Sequence, residues 1–192
     1  MGDIWFTSDT HENHANILKY CNRPFKDVTE MNEKMIEMHN ALVKPEDTVY
    51  HLGDFCWPNK HQGVKYWLEK LNGKFYFIRG NHDHFDYMGH RVAWVKDYHE
   101  INTSHKGKKH KIILFHYPIS VWNGMHHGSW CLHGHSHGTH ANSWPNSTAH
   151  GKIMDVGVDC NNCKPFHYDE IAKIMDSLPM TTGFDDHKAK EM

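Results

Sequence analysis

The sequence predicts an α/β fold, and three observations predict it. Apolar runs of strand length alternate with amphipathic helical stretches through the first half of the chain. Each run ends in a small residue or a polar pair, where α/β sheets build their functional loops. The length, 192 residues, suits one domain with a good core.

The elements follow in order. Asp3 to Thr7 reads as a short strand running into Ser8-Asp9-Thr10-His11. Asp9 and His11 are two apart, so an extended path would put both on one side. Alternatively, Asp9 caps a helix starting near Glu12. Residues 13–26 read as a short helix and a loop, with His14 and Arg23 candidates for a substrate pocket, although a surface position is the blander and favoured reading of both. Asp27 opens a helix with Glu30 as its capping-box partner. Met31, Met35, Met38 and Leu42 form an apolar stripe expected to be core packing. Thr48 to Leu52 is a strand delivering Gly53-Asp54. Val64, Trp67, Leu68 and Leu71 mark a second amphipathic helix, closed by Asn72-Gly73. Lys74 to Ile78 is a buried strand ending in Arg79-Gly80-Asn81-His82-Asp83.

The second half carries more strands. Trp94-Val95 with Tyr98 to Ile101 suggests one, and Thr103 to Lys109 a polar turn. Lys111 to Phe115 is a strong strand ending in His116. Trp130 to His133 is a short one ending in Gly134-His135-Ser136-His137. Lys152 to Val158 is a further strand, and Tyr168 to Asp176 a helix with Ile171, Ile174 and Met175 inward. The domain is expected to span 1–179, with 180–192 a frayed tail.

Composition narrows the function. The formal net charge is −2, against a large footprint for duplex nucleic acid. Histidine is the outlier at 21 residues, and it is both the commonest metal ligand and the usual acid–base group near neutral pH. The five cysteines are an odd number; without a signal peptide, a disulfide framework is not expected. The expected compartment is a reducing cytoplasm. No run of about 18 apolar residues suggests a membrane span.

Five polar clusters follow strands: Asp9-x-His11, Gly53-Asp54, Gly80-Asn81-His82-Asp83, His116 and Gly134-His135-x-His137. Their donors are carboxylate and amide oxygens and imidazole nitrogens, without thiolate. That set suits two borderline-hard divalent ions rather than a cysteine-built zinc site. Asp9, His11, Asp54, Asn81, His116, His135 and His137 are enough ligands for two ions if one carboxylate bridges. Two ions about 3.5–4 Å apart suit in-line displacement at phosphorus and acidify a bridging water into a hydroxide nucleophile.

The order and spacing of these blocks resemble the calcineurin-like metallophosphoesterase superfamily, whose pattern is D-x-H, G-D, G-N-H-[DE], H, G-H-x-H. The resemblance implies a four-layer αββα sandwich of two facing mixed sheets. It implies that Asp9, His11 and His137 bind one ion, that Asn81, His116 and His135 bind the other, and that Asp54 bridges. His82 would protonate the leaving oxygen, and Asp83 would orient His82 or a neighbouring loop. Among imidazole–carboxylate metals, manganese is the first expectation, and iron, zinc, nickel and cobalt are also admitted. Glu12 departs from the family, which often has Gly there. Gly53-Asp54-Phe55-Cys56 departs from the protein-phosphatase branch. The chain looks most like small single-domain prokaryotic or phage phosphoesterases.

The leading expectation is a phosphodiesterase acting on a nucleotide or cyclic nucleotide, with a phosphomonoesterase second. Monoesters usually want extra cationic groups, and the motif loops supply only Arg79 and Arg23. A non-catalytic protein-binding scaffold is the alternative from another class; the intact cluster set, His82 included, weighs against it. The expected partner is a small phosphoester, not duplex nucleic acid or a membrane, and oligomerisation is left open. Trp122 and Trp130 are candidates for stacking a nucleobase, although packing is the blander role for both. His126 and His127 are candidates for substrate contact or for a plain surface loop. Cys160-x-x-Cys163 reads as a turn.

Overall fold

The computed structural model describes residues 2–59, 61, 63–83, 91–105, 107–140 and 151–180. The chain runs β1 (Ile4–Thr7), α1 (Ile17–Tyr20), α2 (Val28–Leu42), β2 (Thr48–His51), α3 (Val64–Leu68), β3 (Lys74–Ile78), β4 (Val92–Lys96), β5 (Tyr98–His105), β6 (Lys108–Phe115), β7 (Trp130–His133), β8 (Ile153–Asp155), β9 (Phe166–His167) and α4 (Tyr168–Ser177). These strands form two mixed sheets, ordered β4-β3-β2-β1-β9 and β5-β6-β7-β8. β1 to β4 pair in parallel and β9 joins β1 antiparallel. In the second sheet β5 and β6 form a hairpin, and β6, β7 and β8 run parallel.

The core explains the stacking. Phe6, Leu52 and Ile78 from the first sheet meet Ile112, Leu114, Trp130 and Leu132 from the second, so the sheets face each other. Each such fully buried apolar side chain is worth about 1.5–3 kcal/mol against leaving it in water. Tyr168, Ile171 and Met175 of α4 join that cluster. On its other face the first sheet packs Val49, Phe75 and Phe77 against Val64, Trp67 and Leu68 of α3. The second sheet's outer side is covered by Ile119, Trp122 and Met125 around Ile113 and Cys131. No helix is assigned to that cover among the described residues; it includes a 3-10 turn, Met125–His127.

Local chemistry sets the element ends. Asp27 caps α2, accepting the Glu30 amide at 2.9 Å. The Glu30 carboxylate accepts from the Lys26 amide at 2.7 Å, one residue before the position a capping box uses. Gly73 has φ +103, and a Cβ there would lie 2.7 Å from Val49 Cγ2. The turn into β3 therefore needs glycine for conformation and for space.

Several expectations are corrected. Trp94 and Tyr98 lie in different strands, β4 and β5, of different sheets, with only Asp97 between them. Hydrophobic period is blind to a change of pairing partner. The polar stretch 103–109 is mostly strand: β5 and β6 pair out to His105↔Lys108. β5 is an outer strand of its sheet, so its polarity marks an exposed edge rather than a turn. The strand expected over 152–158 shortens to Ile153–Asp155, followed by a 3-10 turn at Val158–Cys160. Leu42 and Ile174 are exposed, so each lies outside the buried face expected for its helix. Residues 181–192 of the expected tail lie outside the described residues.

Candidate metal centre

The carboxyl ends of β1, β2 and β3 in one sheet and of β6 and β7 in the other carry the polar clusters. Their loops are bound to one another by backbone. Asp9 N donates to Gly53 O at 2.9 Å, His11 N to Asp54 O at 3.0 Å, and Gly134 N to His116 O at 2.9 Å. His135 N donates to both carboxylate oxygens of Asp9, at 3.1 and 2.9 Å, joining the two sheets' loops.

These loops are backbone-strained. Asp9, His11, Asp54, His135 and His137 all have positive φ, between +46° and +67°. Asp and His are among the non-glycine residues most tolerant of that region, but such residues still cost of order 1–3 kcal/mol each. The strain corrects the extended path expected from Asp9 to His11. The two side chains share a face through left-handed turns instead. Asp9 caps no helix, because α1 begins at Ile17 with Asn16 as its N-cap.

Two triads result. The potential ligand atoms of Asp9, His11 and His137 lie within 4.8 Å of one another, as do those of Asp54, His116 and His135. Asn81 joins the second triad, with Oδ1 3.0 Å from His116 Nε2. One atom links the triads: Asp54 Oδ2 lies 3.6 Å from His11 Nε2 and 3.7 Å from His116 Nε2. Glycines make room for these carboxylates. A Cβ on Gly80 would lie 2.1 Å from Asp54 Oδ1, and one on Gly134 2.4 Å from Asp9 Oδ2.

The surroundings fit cations. His116 Nδ1 donates to the Leu52 carbonyl at 2.7 Å, which leaves an electron pair on Nε2. In a neutral ring that pair would face the Asn81 amide oxygen, 3.0 Å away, where a cation could take both donors. His11 Nε2 is buried without a hydrogen-bond partner. Burial, helped by His137 and Arg23, pushes the His11 pKa down to about 2 and keeps the ring neutral. Burial raises the Asp9 carboxyl to about 8, against the pull of His137. A buried carboxylate and a buried orphan imidazole side by side are what a divalent ion would satisfy.

His137 is braced from behind. Its Nδ1 donates to Asp159 Oδ2 at 2.7 Å. Burial alone would discourage the ring's charge, but the Asp159 bond overrides it and lifts the pKa to about 10. Asp159 is held in turn by Arg23, through Nε at 2.8 Å and Nη2 at 2.9 Å. Arg23 also donates to the carbonyls of Asp9, at 2.6 Å, and Thr10, at 2.8 Å. It is 5 % exposed. The expectation that Arg23 meets substrate is therefore corrected: its guanidinium is an internal strut of the first triad's loop. Cys21 shares this corner, forming a close group with His137 and Asp159.

The other candidates fall as follows. His82 donates its backbone N–H to Asp54 Oδ1 at 2.9 Å, and its ring lies 5.6 Å from that of His11. Asp83 is buried and accepts from the amides of Asp54, Phe55 and Gly80 at 2.8–3.1 Å, so it ties its own loop to the Gly53-Asp54 loop. His14 stacks on Trp57. Arg79 has Nε 3.8 Å from Asp97 Oδ1. The rings of His126 and His127 lie 4.0 Å apart, tilted by 51°, on an exposed turn. Trp122 and Trp130 are buried and belong to the core. His51 and His133 are buried too, the first 3.0 Å from the Thr10 hydroxyl and the second bonded to the Gly134 carbonyl.

Sequence reasoning missed Asp155 and Asp159. Asp155 accepts from Ser136 Oγ, Gly138 N and Gly157 N at 2.6–2.9 Å, which shapes the loop carrying His135 and His137. A partial signal was present for Asp159: Val156-Gly157-Val158-Asp159 resembles Leu52-Gly53-Asp54 with one valine set between glycine and carboxylate.

Two facing mixed sheets that present paired carboxylate–imidazole triads at their strand ends define an α/β protein built to bind metal. The model of the calcineurin-like phosphoesterase family matches residues 2–177, and the chain belongs to that family. It is similar to an uncharacterised protein of Methanocaldococcus jannaschii, at 40 % identity over 177 residues covering 92 % of this chain and 93 % of the relative. It is also similar to the gene 66 protein of Mycobacterium phage L5, at 24 % identity over 83 % of this chain and 87 % of that one. A crystal structure of a protein of unknown function from Aquifex aeolicus matches with a TM-score of 0.64 and 25 % identity, covering 91 % of this chain and all of that one. The family's activity is metal-dependent hydrolysis of small phosphoesters, and its members typically bind two divalent ions. Among the described residues, no helix is long and apolar enough to cross a membrane.

Proposed function

We propose that the chain is a dinuclear phosphodiesterase acting on a nucleotide-type diester in the cytoplasm. The observation that carries the reading is the position of Asp54 Oδ2, nearly equidistant from the Nε2 atoms of His11 and His116. Asp9, His11 and His137 would hold one ion, Asn81, His116 and His135 the other, and Asp54 both. When bound, the ions supply positive charge to the phosphoryl oxygens and an activated water for attack at phosphorus. Manganese is the first metal to try; iron, zinc, nickel and cobalt suit the same donors.

The remaining chemistry belongs to the side chains. His82 is the general acid: its backbone is pinned by Asp54 and its ring flanks the first triad, within reach of a leaving oxygen. The diester preference rests on the two arginines of the motif loops: Arg79 has Nε 3.8 Å from Asp97 Oδ1, and Arg23 is turned inward. With its guanidinium engaged by Asp159, Arg23 is not available to neutralise the extra charge of a monoester. We read the fold as the αββα sandwich, its fourth layer reduced to the segment around Ile119–His127, and residues 1–179 as one domain.

The test is hydrolysis of bis-p-nitrophenyl phosphate against p-nitrophenyl phosphate by metal-stripped protein with Mn²⁺ restored. Metal-dependent diester turnover supports the reading. Preference for the monoester replaces it with a phosphatase. Turnover of neither substrate with two ions bound removes it.

A further inference from the structure

An exposed indole stands beside the first triad, and no motif residue accounts for it. We propose that Trp57 is the stacking platform for the base of a nucleotide leaving group. The proposal rests on the phosphodiesterase reading and names its substrate class.

Trp57 follows Asp54 by three residues and is 45 % exposed, unlike Trp5, Trp67, Trp122 and Trp130, which are buried. It is not loosely held. Its amide donates to Glu12 O at 2.7 Å. Its carbonyl accepts from Asn13 Nδ2 at 3.1 Å. Cys56, just before it, bridges Glu12. The imidazole of His14 stacks on the indole at 4.6 Å between centroids and 17° between planes. The indole is thus braced by a neighbour and anchored through its backbone, yet nearly half the residue stays open to solvent. A surface fixed in advance loses little entropy when a flat ligand stacks on it.

Its position says which part of a substrate it meets. The His82 ring lies 5.6 Å from His11 and 5.5 Å from Trp57. The His14 ring makes the same span, 5.4 Å from His11 and 4.6 Å from Trp57, so the general acid and His14 both link the first triad to the indole. In hydrolysis water attacks phosphorus, the P–O bond to the leaving alcohol breaks, and His82 gives that oxygen its proton. An alcohol leaving past His82 arrives at Trp57. The alcohol that carries a flat face through a sugar is a nucleoside. Every base has a π-face, so the platform selects base over no base without choosing among bases. Tyr117, 38 % exposed and 4.7 Å from His135, stands beside the other triad.

The experiment compares a dinucleoside monophosphate with the analogue whose leaving-side base has been removed, using metal-loaded protein. Wild type is expected to favour the base-bearing diester in kcat/KM by about tenfold, within the range for base–aromatic stacking. In Trp57→Ala that ratio falls to near one, and in Trp57→Phe most of it returns. Calorimetry gives a readout independent of turnover: adenosine monophosphate is expected to bind wild type more tightly than ribose phosphate, and Trp57→Ala equally to both. Equal turnover of both diesters by wild type, or an unchanged ratio in Trp57→Ala, overturns the platform while the phosphodiesterase reading stands. No turnover of either diester or of bis-p-nitrophenyl phosphate, with two ions bound, overturns both.

Discussion

Asp159 fixes the ring of His137 by a 2.7 Å hydrogen bond to Nδ1, turning Nε2 toward Asp9 and His11. Outer carboxylates of this kind set the tautomer and aim of a metal-binding imidazole. Asp159→Ala is expected to weaken the first ion by about 10–100-fold and to leave the second triad's ion in place. Competition with a graded chelator reads both ions. Equal weakening of the two, or of neither, would remove Asp159 from its role as an orienting group.

Gly80 is not a ligand, but a Cβ there would stand 2.1 Å from Asp54 Oδ1 and 2.5 Å from Asp54 N. Its backbone φ lies outside the left-handed region, so the objection is space alone. Gly80→Ala should push the Asp54 carboxylate off its shared position and lower occupancy of both ions. Metal analysis after gel filtration, with unfolding followed in parallel, checks this. A folded variant that keeps two tight ions contradicts the bridging geometry.

His82→Ala should retain both ions, because neither of the two triads described includes that side chain. Loss of a general acid costs about 10²–10⁴ in rate when the leaving alcohol is poor. The loss should be far smaller for a p-nitrophenyl leaving group, which departs without a proton. Equal losses on both substrates would point to a positional defect instead.

His39 provides a pH test away from the triads. It is buried, stacked near Phe75, with Nε2 2.9 Å from the Asn72 carbonyl. Burial lowers its pKa from 6.5 to about 4, against the opposing pull of that carbonyl. Between these values the unfolded chain binds a proton that the folded chain does not, so stability rises with pH. The contribution is complete above pH 6.5 and lost as pH falls toward 4, roughly 3 kcal/mol in all. His39→Gln, which keeps a donor for Asn72, should shrink the loss of stability between those pH values by that order. Urea unfolding of both proteins at pH 7 and pH 4.5 decides it; identical losses would clear His39.

How much of this the sequence carried depends on range. The convergence of Asp9, His11, Asp54, Asn81, His116, His135 and His137 was legible because their clusters follow apolar runs, and strand ends converge in an α/β sheet. Arg23 was misread because a lone arginine in a loop carries no sign of its partner; Asp159 lies 136 residues away. The split between β4 and β5 was invisible because Asp97 interrupts no periodicity. Trp57 passed unnoticed since aromatic residues near strand ends usually sink into the core, and only solvent exposure separates it from Trp122 and Trp130.

Each triad draws on both sheets: Asp9 and His11 follow β1 while His137 follows β7, and Asp54 follows β2 while His116 and His135 follow β6 and β7. An ion seated in either is a rivet through the two halves of the molecule. Ligand held only by the native chain adds to folding stability, about 2.7 kcal/mol at a hundred times its dissociation constant. The metal that would make this protein work would thus also hold it together, and losing it would cost the chain stability as well as activity.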